Sequence, residues 1–365
     1  MKNFIRTNLS LLICLGLGIF LQSSCAQKGR KVSNSALTVV DSSDYFTNPV
    51  GKGADPWVVK DNGFYYVCQV AETKRGEGIS IRKSSFLTKL GKRQVVWTAP
   101  KNAWNSTSIW APELHHIGNR WYIYYTAGKS GPPYTFQRSG VLESVTDDPR
   151  GEYVDKGILK TGSDPADPSG VFWAIDLTVA EINGQLYGVW SGWDSNKKSD
   201  KTKQYLYIAK MSDPTTISSD RVKIASPDQP WETGGPLDLV EGAQFIFHKK
   251  DVFLIYSTRE SWTPQYRLGQ LRLKPKADPM KPESWIKSGP VFKGNESVLG
   301  VGHASFTKSP DDKEWWIFYH SKIDKKPGWD RNLRLQQFYW DKKGNPVFRE
   351  PLPAGVKLKK PSGEK

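Results

Sequence analysis

Three acidic residues, Asp55, Asp176 and Glu241, lie far apart in the chain yet stand in the same kind of place. Each sits among small or apolar neighbours: Ala54-Asp55-Pro56, Ala174-Ile175-Asp176 and Val240-Glu241-Gly242. Roughly ten residues after each comes a short run rich in aromatic and β-branched residues, the composition of a strand. Carboxyl groups working in opposition suit the cleavage of a glycosidic bond. One is protonated and gives its proton to the leaving oxygen; the other is ionised and activates water or attacks carbon. A third acid adds control, because a nearby negative charge raises the pKa of the proton donor and keeps it loaded near neutral pH. Single Asp and Glu residues are usually solvated surface groups, so this chemistry needs a fold that gathers all three.

A repeat supplies that fold. Five runs share one pattern: Phe64-Tyr65-Tyr66-Val67-Cys68-Gln69, Trp121-Tyr122-Ile123-Tyr124-Tyr125-Thr126, Leu186-Tyr187-Gly188-Val189-Trp190-Ser191, Val252-Phe253-Leu254-Ile255-Tyr256-Ser257 and Trp315-Trp316-Ile317-Phe318-Tyr319-His320. Each ends on a small or polar residue and follows a turn signal such as Asn62-Gly63 or Asn183-Gly184. The interval of about 60 residues suffices for one four-stranded sheet with its loops, so five copies predict an all-β, five-bladed β-propeller. If each run is the second strand of its blade, the segment upstream is the innermost. Asp55, Asp176 and Glu241 then converge at one end of a common axis. Trp110-Ala111-Pro112-Glu113 and Gly302-His303-Ala304 hold the corresponding places in the other two blades.

Composition agrees with this reading and narrows the function. The 365 residues include 32 Gly and 24 Pro, suited to a turn-dense β fold, and 15 Trp, whose broad faces pack blades or stack on sugar rings. The net charge of +15 comes from scattered basic residues, apart from the cluster Lys357-Leu358-Lys359-Lys360. Scattering and export argue against nucleic acid; acidic polysaccharide such as pectin is the better partner. Lys2 and Arg6 precede the apolar run 9–21, which is short for a membrane span of about 20 residues and reads as an export signal. Residues 1–26 form that signal, either cut after Ala26 or ending at a lipidated Cys25, the second tethering the protein to a bacterial membrane. A tail, 27–44, leads into the propeller at 45–356, followed by a basic tail at 357–365. Cys68 is left as a small core residue, and the cysteine spacing of a metal site is absent from the sequence.

The motifs together resemble glycoside hydrolase family 43. They are Gly53-Ala54-Asp55-Pro56-Trp57, Ile109-Trp110-Ala111-Pro112-Glu113-Leu114-His115, Trp173-Ala174-Ile175-Asp176, Val240-Glu241-Gly242-Ala243, Gly300-Val301-Gly302-His303-Ala304-Ser305-Phe306 and Arg331-Asn332-Leu333-Arg334-Leu335-Gln336. The resemblance implies an inverting hydrolase in which Asp55 is the general base, Glu241 the general acid and Asp176 a modulator of the acid. It places His303 on the axis beneath the sugar, with water or a structural calcium beside it and no cofactor required. It brings Arg334 to the acid and the sugar, with Arg331 as the competitor for that role. Trp110 and Trp193 are the further substrate-binding candidates, while Glu113 reads as a structural partner. Ala243-Gln244 departs from the Pro usual after the acid motif, without removing a functional group. Within the family, Ser191-Gly192-Trp193 and Tyr266-Arg267-Leu268-Gly269 resemble the exo-acting α-L-arabinofuranosidases of plant cell-wall polysaccharide. β-Xylosidase, endo-arabinanase and an inactive sugar-binding propeller are the alternatives. Oligomeric state is not legible.

Overall fold

The computed structural model describes residues 44–163 and 171–365; the export signal, Cys25 and the tail up to residue 43 lie outside them. Five antiparallel sheets follow one another along the chain. The first blade is Trp57–Asp61, Phe64–Thr73, Gly76–Ser84 and Lys92–Thr98; the second is Thr107–Ile117, Arg120–Gly128, Arg138–Ser144 and Tyr153–Ile158. The third runs Ala174–Ile182, Gln185–Gly192 and Tyr205–Asp213, the last of these paired with both Thr216–Ile217 and Val222–Ala225. The fourth holds Val240–His248, Asp251–Thr258, Arg267–Leu273 and Trp285–Lys293. The fifth holds Leu299–Lys308, Trp315–Lys322 and Arg331–Trp340, and takes its outermost strand, Gly51–Lys52, from before the first blade. This is the five-bladed propeller the repeat predicts, with every repeated run forming the second strand of its blade.

The repeated runs alternate because each second strand is buried on both faces, and strand side chains alternate between faces. In the first blade Tyr66 and Cys68 face a core shared with the second blade, while Tyr65 and Val67 face one shared with the fifth. In the second blade Trp121, Ile123 and Tyr125 pack towards the first, and Tyr122 and Tyr124 towards the third. Further cores join the third blade to the fourth and the fourth to the fifth. Each interface thus has its own hydrophobic core. Burying one of these large side chains is worth about 1.5–3 kcal/mol. Cys68 is a fully buried free thiol within one of them.

The ring is closed by residues from both ends of the described chain. Val50 and Gly53 donate backbone hydrogen bonds to Leu333 and Arg331, at 2.9 and 3.0 Å, on either side of the Gly51–Lys52 pairing. Residues 357–359, expected as the start of a basic tail, pair as a strand with Tyr45–Thr47. Beyond them Glu364 accepts the Leu87 amide at 2.9 Å.

Candidate active site

One backbone device recurs at the inner end of every blade. Asp55, Ala111, Asp176, Gly242 and His303 all have positive φ, between 41° and 54°. In the last four blades each lies at a register shift between the first and second strands. In the first blade Asp55 precedes Pro56, which has no N–H for a ladder. A bulge bends its strand and re-aims a side chain, and left-handed backbone at a non-glycine residue costs about 1–3 kcal/mol. Four of the five residues accept that cost. Aimed at the axis, the bulges bring Asp55, Asp176 and His303 together, with Glu241 immediately before Gly242.

In four of the five repeated runs the last residue holds the next blade's bulge, while Gln69 of the first donates to the Ala54 carbonyl beside Asp55. The Asp176 amide donates to Thr126 Oγ1 at 3.1 Å, and the His303 amide donates to Ser257 Oγ at 2.8 Å. The Asp55 amide donates to His320 Nδ1 at 3.2 Å, across the closure from the fifth blade to the first. Ser191 Oγ donates to the Val240 carbonyl at 2.8 Å, beside Glu241. The small or polar endings read from the sequence are therefore anchors for the site.

Nitrogen atoms of three side chains surround the Asp55 carboxyl. His303 Nδ1 and Arg331 Nη1 each stand 3.4 Å from its Oδ1, and His320 Nδ1 stands at 3.2 Å. Burial alone would raise the Asp55 pKa, but Arg331, then His303 and His320, outweigh it and hold the carboxyl well below its usual range. His320 is fully buried, and burial, followed by the Arg331 charge, pushes it down to about 4. It is therefore a neutral ring at pH 7.

Glu241 and Asp176 have different surroundings. Both are buried, and burial raises both pKa values. The Tyr266 hydroxyl donates to Glu241 Oε1 at 2.9 Å and partly offsets the rise, while the Asp55 charge adds to it. Asp176 Oδ2 accepts the Gly242 amide at 3.1 Å, tying it to the residue next to Glu241. His303 lowers Asp176, whereas Glu241 and Asp55 raise it further. The site thus holds one carboxylate favoured as the ion and two favoured as acids.

Below the bulges Glu113, Thr178, Gln244 and Ser305 occupy equivalent positions on four inner strands. Gln244 Nε2 donates to Glu113 Oε1, His115 Nε2 lies 3.0 Å from Glu113 Oε2, and Thr178 Oγ1 lies 3.4 Å from Gln244 Oε1. Glu113 is a structural partner, as expected, and Gln244, the departure from the family pattern, is what it binds. These contacts also bear on the calcium the resemblance implies. Among the described residues no cluster of three or more His, Cys, Asp or Glu side chains could hold a metal ion, and the Glu113 oxygens are already engaged.

Two expectations are corrected. Trp193, expected to bind substrate, is fully buried, with its ring parallel to that of Trp173 at 4.3 Å. Trp110 is the half-buried member of that cluster and meets Tyr134 edge-on at 4.9 Å. Arg334 does not approach the acids; it is buried and donates to Ser321 Oγ and the Leu352 carbonyl, both at 2.9 Å. Arg331 reaches Asp55 instead. The strand pairs with its neighbour without a register shift, so residues three apart face opposite sides. His320 and Tyr266 are the site residues missed from the sequence. Their rings are stacked at 5.4 Å, linking the neighbourhood of Asp55 to that of Glu241. Gly302 makes room for them, since a Cβ there would lie 2.3 Å from the Tyr266 ring.

The model of the glycosyl hydrolases family 43 matches residues 46–346, the whole ring of blades. The chain belongs to glycosyl hydrolases family 43. Among family 43 relatives it is similar to an extracellular exo-α-(1→5)-L-arabinofuranosidase of Streptomyces avermitilis, 35% identical over 85% of this chain and 64% of the relative. It is 32% identical to α-L-arabinofuranosidase B of Pyricularia oryzae, with the same coverage. The chain therefore spans about 64% of the length of these curated relatives. The crystal structure of an α-L-arabinofuranosidase from Lactobacillus brevis superposes with a TM-score of 0.74 at 30% identity, covering 85% of this chain and 98% of that one.

Proposed function

We propose that this chain is an exported, inverting glycoside hydrolase that removes terminal α-L-arabinofuranosyl residues from plant polysaccharide. Glu241 protonates the leaving oxygen, and Asp55 takes a proton from the water that attacks on the opposite face of the sugar. Asp176, held to the Gly242 amide, sets the position and charge state of Glu241. Arg331, His303 and His320 keep Asp55 ionised and oriented. The observation carrying the mechanism is the contrast in surroundings of two acids in one site: Asp55 lies beside Arg331, His303 and His320, whereas Glu241 is buried against the neutral Tyr266 hydroxyl. An inverting hydrolase needs one acid ionised and the other protonated at once.

The sugar assignment is supported by the names of the relatives, which include extracellular exo-α-(1→5)-L-arabinofuranosidases. Export is supported by the basic and apolar sequence of residues 1–26, with lipid attachment at Cys25 as the finer reading. The decisive assay compares release from nitrophenyl α-L-arabinofuranoside and nitrophenyl β-D-xyloside, with the first-formed anomer followed by NMR. Arabinose released as the β-anomer is expected. Strong activity on the xyloside alone would overturn the sugar assignment, and the α-anomer would overturn the inverting mechanism. Binding of arabino-oligosaccharides with no turnover would leave a sugar-binding propeller.

A further inference from the structure

Beside the acids two tryptophans form a surface feature that the mechanism above does not use. Trp329 is 60% exposed, the most exposed large hydrophobic side chain among the described residues. It follows the loop that leads into the Arg331–Trp340 strand of the fifth blade. Trp262 lies on the loop that leaves the Asp251–Thr258 strand of the fourth. Their ring centres are 5.3 Å apart with planes inclined at 55°, so the pair makes an angled cradle rather than a closed stack.

Three contacts hold this cradle in place. The Gly328 amide donates to the Trp262 carbonyl at 2.9 Å, and Lys322 Nζ donates to the Gly328 carbonyl at 2.8 Å. Arg331 Nε donates to the Trp329 carbonyl at 3.2 Å, with its guanidinium 5.5 Å from the Trp329 ring centre. The same guanidinium reaches Asp55, so a single side chain separates the cradle from the proposed base. Lys201 Nζ approaches Trp262 at 5.6 Å from a third loop. An exposed indole that contributes little to the core, fixed by its backbone and backed by cations, is suited to stacking on a ligand ring.

We propose that Trp262 and Trp329 form a binding site for a sugar on the leaving-group side of the scissile bond. This rests on the glycosidase reading, because the side is inferred from the acid. The leaving oxygen departs towards its proton donor, and Trp262 belongs to the blade that carries Glu241. It stands just past Glu260, a fully buried acid whose charge is felt at Glu241. The ligand is a neutral sugar ring one or two units beyond the terminal arabinose, presenting its C–H face to Trp329. The site favours oligosaccharide and polymer over substrates with a small leaving group.

The test compares arabinose release from α-1,5-linked arabinotriose with release from methyl α-L-arabinofuranoside, whose leaving group is too small to reach the cradle. In Trp329→Ala the ratio of kcat/KM for the trisaccharide to that for the methyl glycoside is expected to fall about ten-fold, mainly through KM, with partial recovery in Trp329→Phe. Trp262→Ala should move the ratio in the same direction. An unchanged ratio overturns the proposal, whether both rates hold or both fall together. If the wild-type protein cleaves neither substrate, the enzymatic reading fails separately. Arabinotriose binding by calorimetry then decides the cradle: weaker binding to Trp329→Ala supports it, and equal affinity overturns it.

Discussion

The Asp55 half and the Glu241 half of the site differ more in company than in depth. Asp55 is the more open, 22% exposed, and faces Arg331, His303 and His320. Glu241 is buried and accepts a side-chain hydrogen bond from the neutral Tyr266 hydroxyl, with Asp55 and Glu260 as further negative neighbours. Burial pushes both pKa values up; Arg331 and the two histidines outweigh it at Asp55, while at Glu241 Asp55 and Glu260 reinforce it against partial offsets from Tyr266 and Arg331. Burial alone would have made two similar acids. The contrast between the two carboxyls comes from their neighbours: Arg331, His303 and His320 of the fifth blade at Asp55, and Tyr266 and Glu260 of the fourth at Glu241.

The largest effect that can break this contrast comes from removing either carboxylate. Asp55→Asn and Glu241→Gln should each lower kcat on arabino-oligosaccharides by about 10²–10⁴-fold. A dinitrophenyl leaving group, which departs without protonation, should restore much of the rate to Glu241→Gln and little to Asp55→Asn; equal restoration would show the two roles to be misassigned. Next comes Arg331→Leu. Asp55 is depressed in the fold, so wild-type activity should persist below the usual carboxylate range. Without the cation that pKa rises, and the acid limb of the kcat/KM profile should move to higher pH with a rate loss of at least about ten-fold.

Tyr266→Phe should act on the other limb. The tyrosine hydrogen bond favours ionised Glu241, so its loss raises that pKa and moves the alkaline limb of kcat upward, with only a few-fold change in the maximum. The smallest effect is on stability. Glu241 is raised in the fold, so its contribution is fully present below its unfolded pKa and is lost as pH rises through the folded value. Glu241→Gln cannot ionise and should therefore melt about 1–3 °C higher than wild type on the alkaline side, with the difference closing near pH 4. A scan showing no pH dependence of that difference would mean Glu241 is not held as the neutral acid.

The features legible in the sequence were those carried by a repeat. The aromatic runs disclosed the second strands, and their spacing to Asp55, Asp176 and Glu241 disclosed the inner ones. The His320 role was written in the same pattern, as the polar ending of the fifth run, but its use requires knowing that four of the five endings serve the next blade. Tyr266 falls outside the repeated runs, on the edge of a third strand, and carried no comparable signal. Arg331 and Arg334 are both plausible by type; only strand parity separates them, and the strand start was not fixed by sequence. Trp193 failed for a related reason, since a motif gives its neighbourhood and not which indole is covered by the other.

The borrowed strand Gly51–Lys52 fixes when this protein becomes competent. Asp55 follows directly from it, and the Gly53 amide is tied to the carbonyl of Arg331. Its partners, Asn332 and Leu333, come only after the inner strands of all five blades. A growing chain can complete blades two, three and four while its earliest acid still waits, unaligned, for a docking strand not yet made. The alignment of Asp55 thus waits for the Arg331–Trp340 strand of the fifth blade.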